Sequence, residues 1–279
     1  MVAAPVLWST AGVVTRHIER AGAFEQVFWR SLFAFVFVLG FLLFRKSNPW
    51  RAVRAAGWPG VVSSLMWAVM FTAFLFALSL TTTANALVVM SVSPLLTAVV
   101  ARIFLSDPVP ARTWVAAGAA AVGIGFMFGF SLEKHFLGMA VALLIPVASA
   151  INVVVLRASA AKLDLVPAVM LGGALSCLLA LPFAFPFSLS PRDFCLLAFL
   201  GFFQLGLPCL LLVIASRTLP APEIALLGLL EVILGPLWAW LGAGEKPAVA
   251  TLAGGMVVLA ALALNEIGGL RRSTPPQAR

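Results

Sequence analysis

Apolar runs without a charged side chain alternate along this chain with short clusters of Arg, Lys, Asp and Glu. Residues 55–101 carry no charge at all, and a bilayer core takes roughly 20 residues per helix, so this run predicts two helices. Thr81, Thr82 and Thr83 mark the turn between them, because irregular backbone is not tolerated against lipid. The uncharged runs 113–132, 136–156, 165–191, 194–216 and 247–265 each suit one helix. Phe24–Phe44 contains only Glu25 and Arg30, and Ala221–Ala243 only Glu223 and Glu231. An opening run from Val2 to about Thr15 completes a count of ten predicted spans. No Lys or Arg precedes that opening run, which argues against a signal peptide.

Composition turns this pattern into a solvent assignment. Of 279 residues, 62% are hydrophobic and 10% charged, against roughly 25% charged in soluble proteins. With a mean hydropathy of +1.10, the chain is predicted to be an all-α integral membrane protein. Its net charge of +8 follows from loop asymmetry and not from a nucleic-acid surface, since no basic run is interleaved with aromatics. With both termini inside, twelve Lys/Arg fall in cytoplasmic loops and five (Arg16, Arg20, Lys134, Arg192 and Lys246) outside. Positive residues are retained on the cytoplasmic side, so the expected location is a bacterial inner membrane with both termini cytoplasmic. Cys177, Cys195 and Cys209 lie in apolar segments without metal-ligand spacing and read as packing residues.

The halves resemble one another. A shift of 138 lays Phe76-Ala77-Leu78-Ser79 on Ile214-Ala215-Ser216-Arg217 and Asp107 on Glu245, and a shift of 141 lays Val13-Val14-Thr15-Arg16 on Val154-Val155-Leu156-Arg157. Five spans per half would invert the second repeat relative to the first, the architecture from which alternating-access transporters are built. The expected division is residues 1–132, residues 133–270 and a cytoplasmic tail, 271–279.

Several local patterns sharpen this. Trp8-Ser9-Thr10 in the first helix, Phe28-Trp29-Arg30 in the second, Ala77-Leu78 near the end of the third, Ser93-Pro94-Leu95-Leu96 in the fourth, then Leu230-Glu231 and Gly244-Glu245 around the ninth, resemble the drug/metabolite transporter superfamily with EamA-type repeats. Within it the chain is most similar to the YddG-type exporters of aromatic and other neutral amino acids. The first half departs from the family's Gly-Glu pair with Ser106-Asp107, and Glu231 is followed by Val232 instead of Pro. The resemblance implies a small-molecule amino-acid substrate, and the expected state in the lipid bilayer is a monomer or weak homodimer.

Candidate substrate-binding residues are polar groups and helix breaks, because polar groups in lipid are costly and turn inward. Pro94, with Ser91 and Ser93 beside it, and Pro146, followed by Ser149 and Asn152, predict breaks in the fourth and sixth helices. Trp67, Met70, Phe74 and Ala77 share one face of the third helix at spacings of 3, 4 and 3; the same stripe also suits core packing. Trp8, Asn85 and Gln204 add polar contacts to substrate or between helices. Arg30 and Glu231 are the charges deepest in spans, able to bind a zwitterion, to carry a coupled proton, or to neutralise each other. Small residues, among them Gly125 and Gly129 in the fifth helix and Gly254 and Gly255 in the tenth, predict close helix packing within the chain, with dimerisation through the GxxxG spacing of Gly125 and Gly129 as the alternative use.

No metal or cofactor is expected. GxxxxGK[ST], HExxH and GxSxG are absent, and the two histidines, His17 and His135, sit near helix ends. These absences argue against an ATP-driven engine and a membrane-embedded enzyme, and leave a passive channel or an exporter of sugars or purines as rivals to the amino-acid reading.

Overall fold

The computed structural model describes residues 2–106, 109–130, 133–159, 163–215 and 221–273. Among them the regular structure is helical: α1 Ala3–Ser9, α2 Ala11–Thr15, α3 Ala23–Phe44, α4 Pro49–Leu80, α5 Thr83–Met90, α6 Ser93–Leu105, α7 Ala111–Gly129, α8 Glu133–Ala142, α9 Leu144–Ser159, α10 Val166–Ala184, α11 Pro191–Phe199, a π-helical segment Leu200–Gly206, α12 Leu207–Ala215, α13 Ala221–Ala243 and α14 Val249–Ser273. Seven helical stretches are long and apolar enough to cross a membrane, counting α5–α6, α11–α12 and most of α8–α9 as single rods. Three further apolar stretches, Ala3–Thr15, Leu230–Ala243 and Val249–Asn265, are shorter. Asp107, Lys162, Arg217 and the tail beyond Ser273 lie outside the described residues, as does the Glu223 side chain.

Local chemistry explains the boundaries. Asn48 caps α4, its Oδ1 accepting from Trp50 N and Arg51 N at 3.1 and 3.2 Å with Pro49 in the first turn. Thr82 Oγ1 accepts from Asn85 N at 3.2 Å and so opens α5 at the predicted Thr81–Thr83 turn. The predicted proline breaks lie just before each proline: Ser91–Val92 separates α5 from α6, and Leu143 separates α8 from α9. Pro94 and Pro146 then occupy the first turns of the new helices, where a missing N–H costs nothing. The first helix breaks at Thr10.

Packing interleaves the two repeats. Helix α10 lies on α3 and α4, α14 on α7, α9 on α4 and α6, α13 on α1, α2 and α5, and the π segment on α3. Exchanging the halves maps these contacts onto one another, with α9 on α4 matched by α1 on α12 and the π segment, as a two-fold relation between repeats requires. One close crossing is reciprocal: a Cβ on Gly123 would stand 2.8 Å from Gly254 O, and one on Gly254 2.6 Å from Gly123 O. Here the sequence reading needs correction, because Gly125 and Gly129 face outward with open space beside them; a 19-residue helix buries one stripe, and Gly123 and Met127 are on it. The outward apolar side chains, among them Val36, Val61, Val122 and Leu179, meet the acyl chains that replace water here.

Gly172 sets the seat of Trp67. A Cβ at this position would lie 2.4 Å from Trp67 Cβ and 3.2 Å from Ser64 O, neither of them the end of a flexible side chain. Gly172→Ala is expected to destabilise the protein by about 1–3 kcal/mol through overpacking, read as a lower apparent Tm in detergent; an unchanged Tm would show that α4 and α10 part easily.

Candidate functional site

Near the middle of the bundle, α1, α3, α4, the π segment, α12 and α13 bring a basic group and a set of aromatic and sulfur-bearing side chains together. Arg30 on α3 is 2% exposed, and its guanidinium carbon lies 5.3 Å from the ring centre of Phe74 on α4. Its Nε and Nη1 are buried without a hydrogen-bond partner. Among the described residues no carboxylate comes within ion-pair distance of Arg30, although Glu231 on α13, half-buried, and Cys209 on α12 are its nearby electrostatic neighbours. Cys209 is buried, meets the Trp8 indole and belongs to the apolar cluster that also contains Trp67 and Phe71, with Met70 packed against it.

The π segment completes this wall. A π turn inserts an extra residue and re-aims the side chains around it. Gly201 lets it press on α3, since a Cβ there would stand 2.3 Å from Phe33 Cβ and 2.7 Å from Arg30 O. Gln204, 2% exposed, donates from Nε2 to Trp8 O at 3.3 Å.

Of the residues singled out from sequence, Trp8, Arg30, Trp67, Met70, Phe74, Gln204 and Glu231 therefore lie around one locus. The others do not join it through hydrogen bonds. Ser91 Oγ and Ser93 Oγ donate to Val88 O and Met90 O at the end of α5, at 2.6 and 2.8 Å, satisfying backbone carbonyls at the break. Asn152 Oδ1 accepts from Ser63 Oγ at 2.6 Å, a buried bond between α9 and α4. Ser149 is half-buried on α9, Pro146 is buried, and Ala77 lies in the core with Phe74 and Val89. Asn85 joins helices, accepting from Thr251 Oγ1 at 2.5 Å. Sequence reasoning missed Cys209 and the π segment; the glycine pair Gly201 and Gly206 was the available signal.

A second constellation lies at the bundle end formed by residues 16–22, 81–82, 185–190 and 244–248. Arg16 Nε pairs with Glu245 Oε2 at 2.7 Å, while its Nη1 and Nη2 donate to Leu78 O and Thr81 O at 2.9 and 2.8 Å. Thr83 N donates to Glu245 Oε1 and Thr83 Oγ1 to Oε2, the latter at 3.2 Å. Gly12 permits this approach, because a Cβ there would meet Thr83 Cγ2 at 2.3 Å. Beside the bridge is an open cavity of about 420 Å³ lined by Arg16, Ser79–Thr82, His135, Ala243 and Glu245. Across the same end, Asp193 accepts from Glu19 N and Arg20 N at 3.1 and 3.0 Å, and the Glu25 carboxylate from Ser188 N at 3.1 Å. Glu25 is 3% exposed, so it caps the Ser188 loop. At the opposite end the ion pair found among the described residues is Arg45 with Asp164 at 3.7 Å, both well exposed. Its energetic value is correspondingly small.

A multi-pass, all-helical membrane protein made of two interleaved repeats, with a charged and aromatic locus between them, is built as a transporter. The family model for EamA-like transporters matches residues 1–129 and again residues 136–266, and the chain belongs to that family. A solved structure, described only as the crystal structure of a protein, is similar over 98% of this chain and 96% of its own, with a TM-score of 0.69 and 17% identity; this is a likeness of fold. No curated protein matches the chain.

Proposed function

We propose that the protein is a secondary transporter of the YddG type that exports small neutral and aromatic amino acids, such as phenylalanine, methionine and threonine, by alternating access. Its ten spans form two inverted five-helix repeats in a bacterial inner membrane, with both termini cytoplasmic. The observation that carries the reading is the buried Arg30 guanidinium with Nε and Nη1 unpartnered. A buried N–H left unmade costs about 1–3 kcal/mol, more when charged, and a substrate carboxylate answers it with charge-assisted, bidentate bonds. Trp8, Trp67, Met70 and Phe74 offer an apolar side chain aromatic and thioether surface. A zwitterion brings both signs and so adds no net charge to a low-dielectric site, whereas a carboxylate alone does.

Purified protein in liposomes tests this directly. Vesicles preloaded with unlabelled phenylalanine are expected to accumulate labelled phenylalanine, methionine and threonine saturably and by counterflow. Flux that rises linearly with concentration would mean a channel, and no uptake of any amino acid by folded protein would overturn the substrate class.

A further inference from the structure

Gln204 has a feature that a packing or helix-joining role leaves unexplained. Its Nε2 is spent on the Trp8 carbonyl, which also sets the amide's orientation, since a flipped amide would oppose two acceptors. Its Oε1 is left buried and without a donor. The unpartnered polar atoms of neighbouring Arg30, Nε and Nη1, are both donors. One unmet acceptor therefore lies on the π segment that Gly201 holds against the carbonyl of Arg30, the residue that carries two unmet N–H groups. Donors call for a ligand's carboxylate oxygens. The acceptor calls for an N–H from the same ligand, at a position where Leu or Met would fill the space without that cost.

We infer that Gln204 Oε1 accepts a hydrogen bond from the substrate's α-ammonium, making Gln204 the residue that separates amino acids from their deaminated carboxylic acids. The assignment rests on the amino-acid reading above and adds to it a division of labour: Arg30 holds the carboxylate end, Gln204 the amine. A carboxylic acid lacking the amine leaves Oε1 unmet and brings an uncompensated negative charge, so it is discriminated against twice.

Phenylalanine and 3-phenylpropionate share the ring and carboxylate and differ in the amine, and the test is their competition for labelled methionine counterflow in proteoliposomes. Wild type is expected to prefer phenylalanine at least tenfold. Gln204→Leu should bring the two together by weakening phenylalanine on the order of tenfold while leaving phenylpropionate unchanged. Gln204→Glu should keep or widen the preference, and Gln204→Met, closer in shape, replaces Leu should that variant fail to reconstitute. A misplaced helix would weaken both competitors alike, which the ratio does not register. The inference falls if Gln204→Leu and Gln204→Met retain the wild-type ratio, as they would were a buried water the partner of Oε1, or if Glu231→Gln alone erases it. A wild type that exchanges amino acids with unchanged selectivity in the Gln204 variants overturns this inference alone; a wild type that moves no amino acid overturns it together with the functional reading.

Discussion

Arg30→Met is expected to reduce saturable amino-acid counterflow to the level of empty vesicles, a loss of at least a hundredfold, without destabilising the protein. The two halves of that expectation have one cause. In the resting protein Nε and Nη1 of Arg30 make no hydrogen bond and no described carboxylate pairs with the guanidinium, which is held over Phe74. A buried charge with unmet donors opposes folding, and replacing buried ionic groups by apolar residues of similar volume is often neutral or stabilising by about 1–4 kcal/mol. The stability comparison belongs in Arg30→Met with Glu231→Gln, so that no lone carboxylate remains on α13. Arg30→Lys should retain a few per cent of the flux, because an ammonium restores the charge without the planar fork that binds a carboxylate at two points. A fall of 10 °C or more in the apparent Tm of the double variant would assign Arg30 to architecture; wild-type flux in Arg30→Met would remove it from the binding site.

Glu245→Ala is expected to have the largest effect on stability among single substitutions at the loop ends. It takes the acceptor from Arg16 Nε, Thr83 N and Thr83 Oγ1 together and removes the ionic tie between α2 of the first repeat and the loop after α13 of the second. The Glu245 and Arg16 side chains are 13% and 31% exposed, so screening is partial and the loss is estimated at about 2–3 kcal/mol. That corresponds to roughly 5 °C in apparent Tm for a chain of this size. Arg16→Glu/Glu245→Arg should not recover it, because an arginine at 245 accepts nothing from Thr83 N and a glutamate at 16 donates nothing to Leu78 O and Thr81 O. The same variant should loosen the adjoining cavity. In a Cys195→Ser background, with the two other cysteines buried, Ala243→Cys should react faster with a membrane-impermeant maleimide once Glu245 is Ala. Equal rates and equal Tm would show the bridge to be incidental.

Much of this protein is legible in its sequence because lipid allows so few solutions. A backbone without water must satisfy its own hydrogen bonds, so uncharged runs become helices and their polar ends become boundaries; Thr81–Thr83 and the segments opened by Pro94 and Pro146 fall where that rule puts them. The same cost of polarity in lipid pointed to Arg30, Gln204 and Glu231, and side-chain periodicity put Trp67, Met70 and Phe74 on one face. Asn152 shows the limit of such reasoning: a buried amide is costly in sequence terms whether it meets a substrate or, as here, the Ser63 hydroxyl of a neighbouring helix.

Sequence alone thus determined the helical membrane fold, the pairing of the halves and the side chains costly enough to require a purpose. Tertiary structure decided which of those costs are met within the protein. It joined Arg16 to Glu245 across 229 positions, turned Gly125 and Gly129 outward while Gly123 closed on Gly254, and inserted the π turn that sets Gln204 beside Trp8. Above all it left Arg30 and Gln204 with groups unmet. Burial cost is a property of a residue, and satisfaction a property of its neighbours, which only the packing of one repeat into the other brings within a hydrogen bond's reach.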